Sequence, residues 1–194
     1  MEKIIFHKET KTFHLYNEEI SYIMCVLENG HMGQLYYGKR IHDKPDFSYL
    51  VEKCGRPMTS YIFEGDRSFS LEHIRQEYPV YGTTDYRHPA IEIMQENGSN
   101  ISEFQYVGYE ILKGKPSLKG LPATYTESEE EAETLKIILK DSLTGAKLTL
   151  LYTIFSKGSA IARSAHICNE GEKVLHLQTM MSLNLDLPDK DYVW

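Results

Sequence analysis

Apolar and polar positions alternate with a period of two through much of the chain. In LHLQTMMSLNLDL, Leu175, Leu177, Thr179, Met181, Leu183 and Leu185 fall on one side, and His176, Gln178, Met180, Ser182, Asn184 and Asp186 on the other. A helix would scatter those apolar positions around its circumference, whereas a strand gathers them on one face. The stretch predicts a strand bordering a core. KLTLLYTIF (Lys147 to Phe155) is apolar on both faces and rich in β-branched and aromatic residues, which suits a central strand. Leu135, Ile137 and Leu139 alternate with Lys136, Ile138 and Lys140, and DSLTG joins the two segments as a hairpin turn. SAIARSAHICN follows, then a turn at Asn169, Glu170 and Gly171 into the last strand. Four successive strands with short connections predict a meander.

The first forty residues have the same texture. IIFH, TFHLY, EISYIMCVLE and HMGQLYYGKRI are strand candidates, separated by polar turns at Glu9 to Lys11, Asn17 to Glu19 and Asn29-Gly30. Ile91 to Met94 and Phe104 to Leu112 add two more around ENGSN. The alternation is lost between Ile41 and Pro89, where Pro45, Pro57, Pro79 and Pro89 interrupt the chain. That region predicts a long irregular insertion, with a helical turn over SLEHIRQE that Ser70 can cap. Long ordered loops cost conformational entropy and are uncommon unless they bind something or cover a core. The expected architecture is a single all-β domain, a large antiparallel sandwich over 1–194 carrying this insertion.

Composition narrows the function. Hydrophobic residues make up 41% and charged residues 25%, as in a folded soluble domain. A net charge of −7 with no cluster of Lys or Arg argues against a nucleic-acid surface. No apolar stretch approaches a membrane span, and MEKIIFHKETKTF has no secretory character. Cys25, Cys54 and Cys168 are few and scattered, which points to a reducing, cytoplasmic compartment, with Cys25 and Cys168 expected buried. The eight histidines form no HExxH, and there is no CxxC, GxSxG or phosphate loop. The acidic run Glu127 to Glu133 reads as a solvated turn.

The densest chemistry is RQEYPVYGTTDYRHPA, Arg75 to Ala90. Glu77 and Asp85 alternate there with Arg75 and Arg87, among Tyr78, Tyr81 and Tyr86. Arginine forks pair well with carboxylates, so this stretch predicts a salt-bridged, tyrosine-packed loop locking the insertion onto the sheet. The same residue types also suit a surface that meets a sugar or a neighbouring domain. Phe47, Tyr49, Tyr61, Phe63, Asp66 and Phe69 extend that surface upstream. A retaining glycosidase needs two carboxyl groups about 5–5.5 Å apart, and spacing alone brings no pair of Asp43, Asp46, Asp66, Glu72, Glu77 and Asp85 to that separation.

FSLEHIRQEYPVYGTTDYRHPAI resembles the signature of the amino-terminal domain of bacterial α-galactosidases of glycoside hydrolase family 36. The likeness continues through GYEILKGKPSLKGLPATY, LTLLYTIF and IARSAHICNEG to LNLDLPDKDYVW. It implies a β supersandwich at the front of a protein in which a catalytic (β/α)8 barrel and a small β domain follow. In the family both catalytic aspartates lie in the barrel, which has no counterpart here. The enzyme removes terminal α-galactose from melibiose and raffinose with retention and without metal or cofactor. Family members are often oligomers in which loops of this domain approach a neighbouring subunit's active site. By resemblance, Asp66 with Tyr61, Phe63 and Phe69 are the candidates for contacts near substrate. Glu77, Tyr78, Pro79, Gly82, Asp85, Arg87 and Pro89 match the signature itself and are expected to support fold and interface.

The expected role is an accessory and assembly domain with no catalytic residue of its own. Its expected partners are the barrel, further copies of the enzyme and α-galactoside oligosaccharides through the assembled site. A freestanding carbohydrate-binding module and a purely structural interaction domain are the alternatives. Trp194, a large apolar side chain at the end of the sequence, suits a polypeptide that continues into another packed domain.

Overall fold

The computed structural model describes residues 3–55, 61–82, 86–118, 120 and 123–187; Asp85 and Trp194 lie outside them. Ten strands form among the described residues: β1 (Ile4–His7), β2 (Thr12–Tyr16), β3 (Ile20–Val26), β4 (Met32–Lys39), β5 (Ile91–Gln95), β6 (Gln105–Lys113), β7 (Ala132–Lys140), β8 (Ala146–Phe155), β9 (Ile161–Asn169) and β10 (Leu175–Met180). They make three antiparallel sheets, ordered β1-β2-β3-β4, β6-β7-β8-β9 and β10-β5. The arrangement is an all-β sandwich, with no α-helix among the described residues.

Side-chain chemistry sets the turns. Asn17 Oδ1 accepts the N–H groups of Glu19 and Ile20 at 2.8 and 2.9 Å, reversing the chain between β2 and β3. The Asn17 amide also donates to the carbonyls of Phe155 and Gly158, tying that turn to the β8–β9 hairpin of the other sheet. In the DSLTG turn, Asp141 Oδ1 accepts the N–H of Leu143 at 2.9 Å, and the Gly145 N–H closes on the Asp141 carbonyl at 2.9 Å.

The main core lies between the two large sheets. Phe13, Leu15, Tyr22 and Met24 meet Leu135, Ile137, Leu148, Leu150 and Tyr152 there. The other face of the first sheet is buried as well. Ile23, Cys25, Leu27 and Leu35 pack against Phe47, Phe69, Leu71 and Ile74 of the insertion. This explains why β3 is apolar on both faces: successive residues serve different cores. Burying a ring such as Phe69 stabilises the fold by roughly 1.5–3 kcal/mol. The insertion therefore acts as the lid of a second core. Among the described residues it contains a 3-10 turn at Ser48–Leu50, a tight bridge between Phe63 and Asp66 and a turn after Ser70. The Ser70 hydroxyl accepts the Glu72 N–H at 3.3 Å and its carbonyl accepts those of His73 and Ile74 at 3.1 Å.

Three expectations need correction. The last strand ends at Met180, short of Leu185. Its register slips between Leu177 and Thr179, which turns the alternation over. Leu175 and Met180 pack on the core, while Leu177 is 50% exposed. β10 also pairs with β5 and not β9, so the meander is β6 to β9, and His166 and His176 lie in different sheets. Cys168 is exposed on β9, an edge strand among the described residues; Cys25 is buried.

Candidate functional site

The signature segment enters the sandwich along β4. The Glu77 N–H donates to the Met32 carbonyl at 2.9 Å, and the Gln34 N–H donates to that of Arg75 at 3.0 Å. That path delivers the Glu77 side chain, 1% exposed, between the two sheets. Tyr22 of β3 donates to its Oε1 at 2.7 Å, and Tyr152 of β8 donates to Oε2 at 2.8 Å. Arg163 of β9, the cross-strand neighbour of Tyr152, places Nη2 at 3.0 Å from Oε2. Arg163 also donates to the Tyr22 hydroxyl at 3.2 Å and to the Asn184 carbonyl at 2.9 Å, and its guanidinium lies 4.7 Å from the centroid of the Tyr152 ring.

Taking two charges out of water costs several kcal/mol each, so such a pair persists only where further hydrogen bonds complete it. Here the two phenols and the Asn184 carbonyl do so. Burial, reinforced by the Glu77 charge, pushes both tyrosine hydroxyls well above their ordinary range and keeps them protonated donors. Burial works against the Arg163 charge, but Tyr152, Glu77 and Tyr22 outweigh it and push its pKa up. The cluster clamps insertion, both large sheets and the segment after β10.

The rest of the signature extends the clamp. The Tyr78 hydroxyl donates to the Met181 carbonyl, and burial pushes its pKa up to about 12. The buried Pro79 offers its carbonyl to the Ala90 N–H at 2.8 Å, next to the buried Pro89. Arg87 donates to the carbonyls of Leu71 and Ile74 at 2.7 and 3.0 Å and to Asp186 at 3.3 Å. Gly82 takes φ +121°, and a Cβ there would stand 2.5 Å from Ile101 Cγ2. Arginine–acid pairing thus occurs among the described residues. Glu77 pairs with Arg163, not with its sequence neighbours Arg75 and Arg87, and Arg87 reaches Asp186. Arg163, Tyr22, Tyr152 and Asn184 were not singled out from the sequence. One signal was available: Arg163 is the lone charge in an apolar strand, and a buried charge needs a partner.

A second polar cluster fastens the start of the insertion. His14, wholly buried, places Nδ1 at 2.7 Å from Asp43 Oδ1 and Nε2 at 2.9 Å from the Ser21 hydroxyl, which accepts the Ile41 N–H at 3.0 Å. His7 Nε2 is 2.9 Å from the same Asp43 oxygen. Burial pushes the His14 pKa down despite its bond to Asp43. Burial opposes the Asp43 charge, but the bonds from His14 and His7 outweigh it and hold the carboxyl below its ordinary range.

Of the residues expected near substrate, Phe63 pairs with Asp66 in a tight bridge and packs on Phe69. Tyr61 is 45% exposed and Phe63 is half-buried. Asp66 is bound by the Ser68 hydroxyl at 2.6 Å and the Ser68 N–H at 2.8 Å, in that order the causes of its lowered pKa. Phe69 corrects the expectation: it is 1% exposed, packed edge-on to Phe63, and has no face to offer a sugar. The Glu77 carboxylate is occupied at both oxygens and sealed from solvent. Among the described residues no group of three or more His, Cys, Asp or Glu side chains could hold a metal ion, and no helix is long and apolar enough to cross a membrane.

Fold and signature together define a β-sandwich domain of the glycoside hydrolases. Residues 30–194 match the glycosyl hydrolase family 36 N-terminal domain, and the chain belongs to that family. α-Galactosidase AgaA of Geobacillus stearothermophilus is 41% identical over 191 residues, 98% of this chain and 26% of that protein. The crystal structure of the α-galactosidase from Lactobacillus brevis superposes with a TM-score of 0.91 at 38% identity, covering 96% of this chain and 25% of that one. That of α-galactosidase AgaB from Geobacillus stearothermophilus gives 0.85 at 40% identity, covering 94% and 24%. The chain thus spans about a quarter of the length of these relatives.

Proposed function

We propose that this chain is the accessory amino-terminal domain of a cytoplasmic α-galactosidase. The whole enzyme removes terminal α-linked galactose from oligosaccharides such as melibiose and raffinose with retention, and its catalytic carboxylates lie in a barrel domain outside residues 1–194. The observation that carries this reading is the state of Glu77: the acid of the family signature is buried in an ion pair that joins the two sheets. Other acids of the insertion are likewise held by neighbours, Asp43 by two histidines and Asp46 by the Ser48 N–H at 2.7 Å. The domain's work is to support the barrel and to help assemble a homo-oligomer, in which the outer insertion around Tyr61 and Asp66 approaches a neighbouring subunit's substrate.

The test is galactose release. The purified chain, incubated with melibiose and with raffinose at millimolar concentration, is expected to leave both sugars intact. Turnover that scales with chain concentration and survives repurification would overturn the proposal.

A further inference from the structure

The second core is not completely filled. Between the insertion and the face of the first sheet that it covers lies a cleft of about 340 Å³, within the range of small-molecule pockets, about 300–1,000 Å³. Short residues set side by side leave this space. Thr12, Cys25 and Gly33 are cross-strand neighbours on β2, β3 and β4, and such neighbours point to the same face of a sheet. Gly33 has no side chain, and a Cβ there would stand 2.6 Å from Leu27 Cδ2, so Leu27 lies against β4. Leu35, Val51 and Phe69 add further apolar wall. Protein interiors rarely leave gaps larger than a water molecule, which sets this one apart.

The chemistry of the lining narrows what fits. Cys25 is 6% exposed, and its thiol has no hydrogen-bond partner among the described residues. Burial, with the Glu77 charge adding to it, pushes the thiol pKa up to about 12 and keeps the sulfur neutral. Neutral sulfur packs favourably against aromatic rings, and Phe69 of the insertion offers a ring of its own. The polar atoms of the lining are mostly acceptors. The Thr12 hydroxyl donates to the Thr10 carbonyl at 3.2 Å, the Thr10 hydroxyl to the Pro45 carbonyl at 3.1 Å and the Ser48 hydroxyl to Asp46. Each hydroxyl is left with lone pairs to offer. Lys53 brings a positive charge, but Glu28 pairs with it at 2.9 Å. An anion is therefore poorly matched. So is a sugar, whose many hydroxyls would be stranded against apolar walls.

We infer that this cleft binds a small neutral aromatic alcohol of the phenol class, its ring against Cys25 and Phe69 and its hydroxyl donating to a lining oxygen. Such a ligand would fasten the insertion to the sheet, because Cys25 and Leu35 come from β3 and β4 while Val51 and Phe69 come from the insertion. By mass action it would also stabilise the folded chain.

Titration of the chain with phenol to millimolar concentration, followed by ¹H–¹⁵N NMR, tests this. Saturable shifts are expected at Cys25, Leu27, Val51 and Phe69. Anisole, which keeps the ring but has no donor, should bind about fivefold or more weakly, the worth of one hydrogen bond. Benzoate, an anion of similar size, should also bind more weakly than phenol. Val51→Trp, at a half-buried wall position, should fill the cleft and abolish the shifts. The three probes are compared on the native chain, so the result does not hang on whether that variant folds. The inference is overturned by phenol that gives no saturable shift, by anisole or benzoate binding as tightly as phenol, or by shifts that persist in folded Val51→Trp.

Discussion

Tyr22 and Tyr152 come from different sheets, yet their hydroxyls bind the two oxygens of a single carboxylate, that of Glu77, at 2.7 and 2.8 Å. The signature acid is thereby a fastener between layers. Each sheet supplies one phenol, the second sheet adds Arg163, and the insertion supplies the acid. The geometry sets the insertion in place, and the apolar residues at its two ends then close the second core.

Removing one member of the buried pair should cost far more than removing both. Glu77→Leu leaves Arg163 buried beside two phenols with no counter-charge, and should lower stability by about 3–5 kcal/mol. The double variant Glu77→Leu with Arg163→Met should be more stable than either single variant. Urea unfolding of the four proteins, read as a double-mutant cycle, gives the coupling. Equal costs that simply add would show that the pair does not act as a unit.

Acid should loosen the insertion before it unfolds the sheets. The folded pKa of His14 lies below its ordinary 6.5 because of burial, so the unfolded chain binds the extra proton first. Stability should fall as pH drops through 6.5 toward the lowered folded value, and be fully present above 6.5. Asp43, whose folded pKa lies below its ordinary 3.8, adds a second loss of the same sign below that value. Arg40 and His7 face the same cluster and oppose a proton on His14. Urea midpoints measured between pH 8 and 5 should decline in the native chain and decline less in His14→Gln. Parallel slopes would remove His14 as the cause.

Gly82→Ala should destabilise the domain by about 1–3 kcal/mol, through a backbone conformation that side chains rarely adopt and a contact with Ile101. Such a loss lowers Tm by roughly 2–4 °C per kcal/mol in a domain of this size. Adding Ile101→Ala should relieve the contact but not the backbone strain, so only partial recovery is expected. Full recovery by the double variant would place the whole effect in the contact.

Strand positions and the irregular insertion were legible because alternation and turn chemistry are local. Asn17, Asn29-Gly30 and Asp141 to Gly145 each turn the chain with their own side chains or φ, and β1 to β9 fall within a few residues of the segments read from sequence. Long-range pairing was not legible. Nothing near Leu177 announces the slipped register beyond it that sets Met180 opposite Ile91, and nothing in RQEYPVYG says that Glu77 will find Arg163, 86 positions along the chain. Phe69 was read as a sugar-facing ring because sequence cannot tell an aromatic on a loop from one buried beneath it. The insertion's second core makes that difference.

The central claim is that this domain supports an α-galactosidase without a sugar site or chemistry of its own. One NMR experiment addresses both halves: ¹H–¹⁵N spectra of the chain during a titration with raffinose to millimolar concentration, with the sugar's anomeric signals followed in the same tube. The account predicts an unchanged protein spectrum and intact raffinose. Saturable shifts around Tyr61 to Arg87, or the appearance of free galactose, would contradict it.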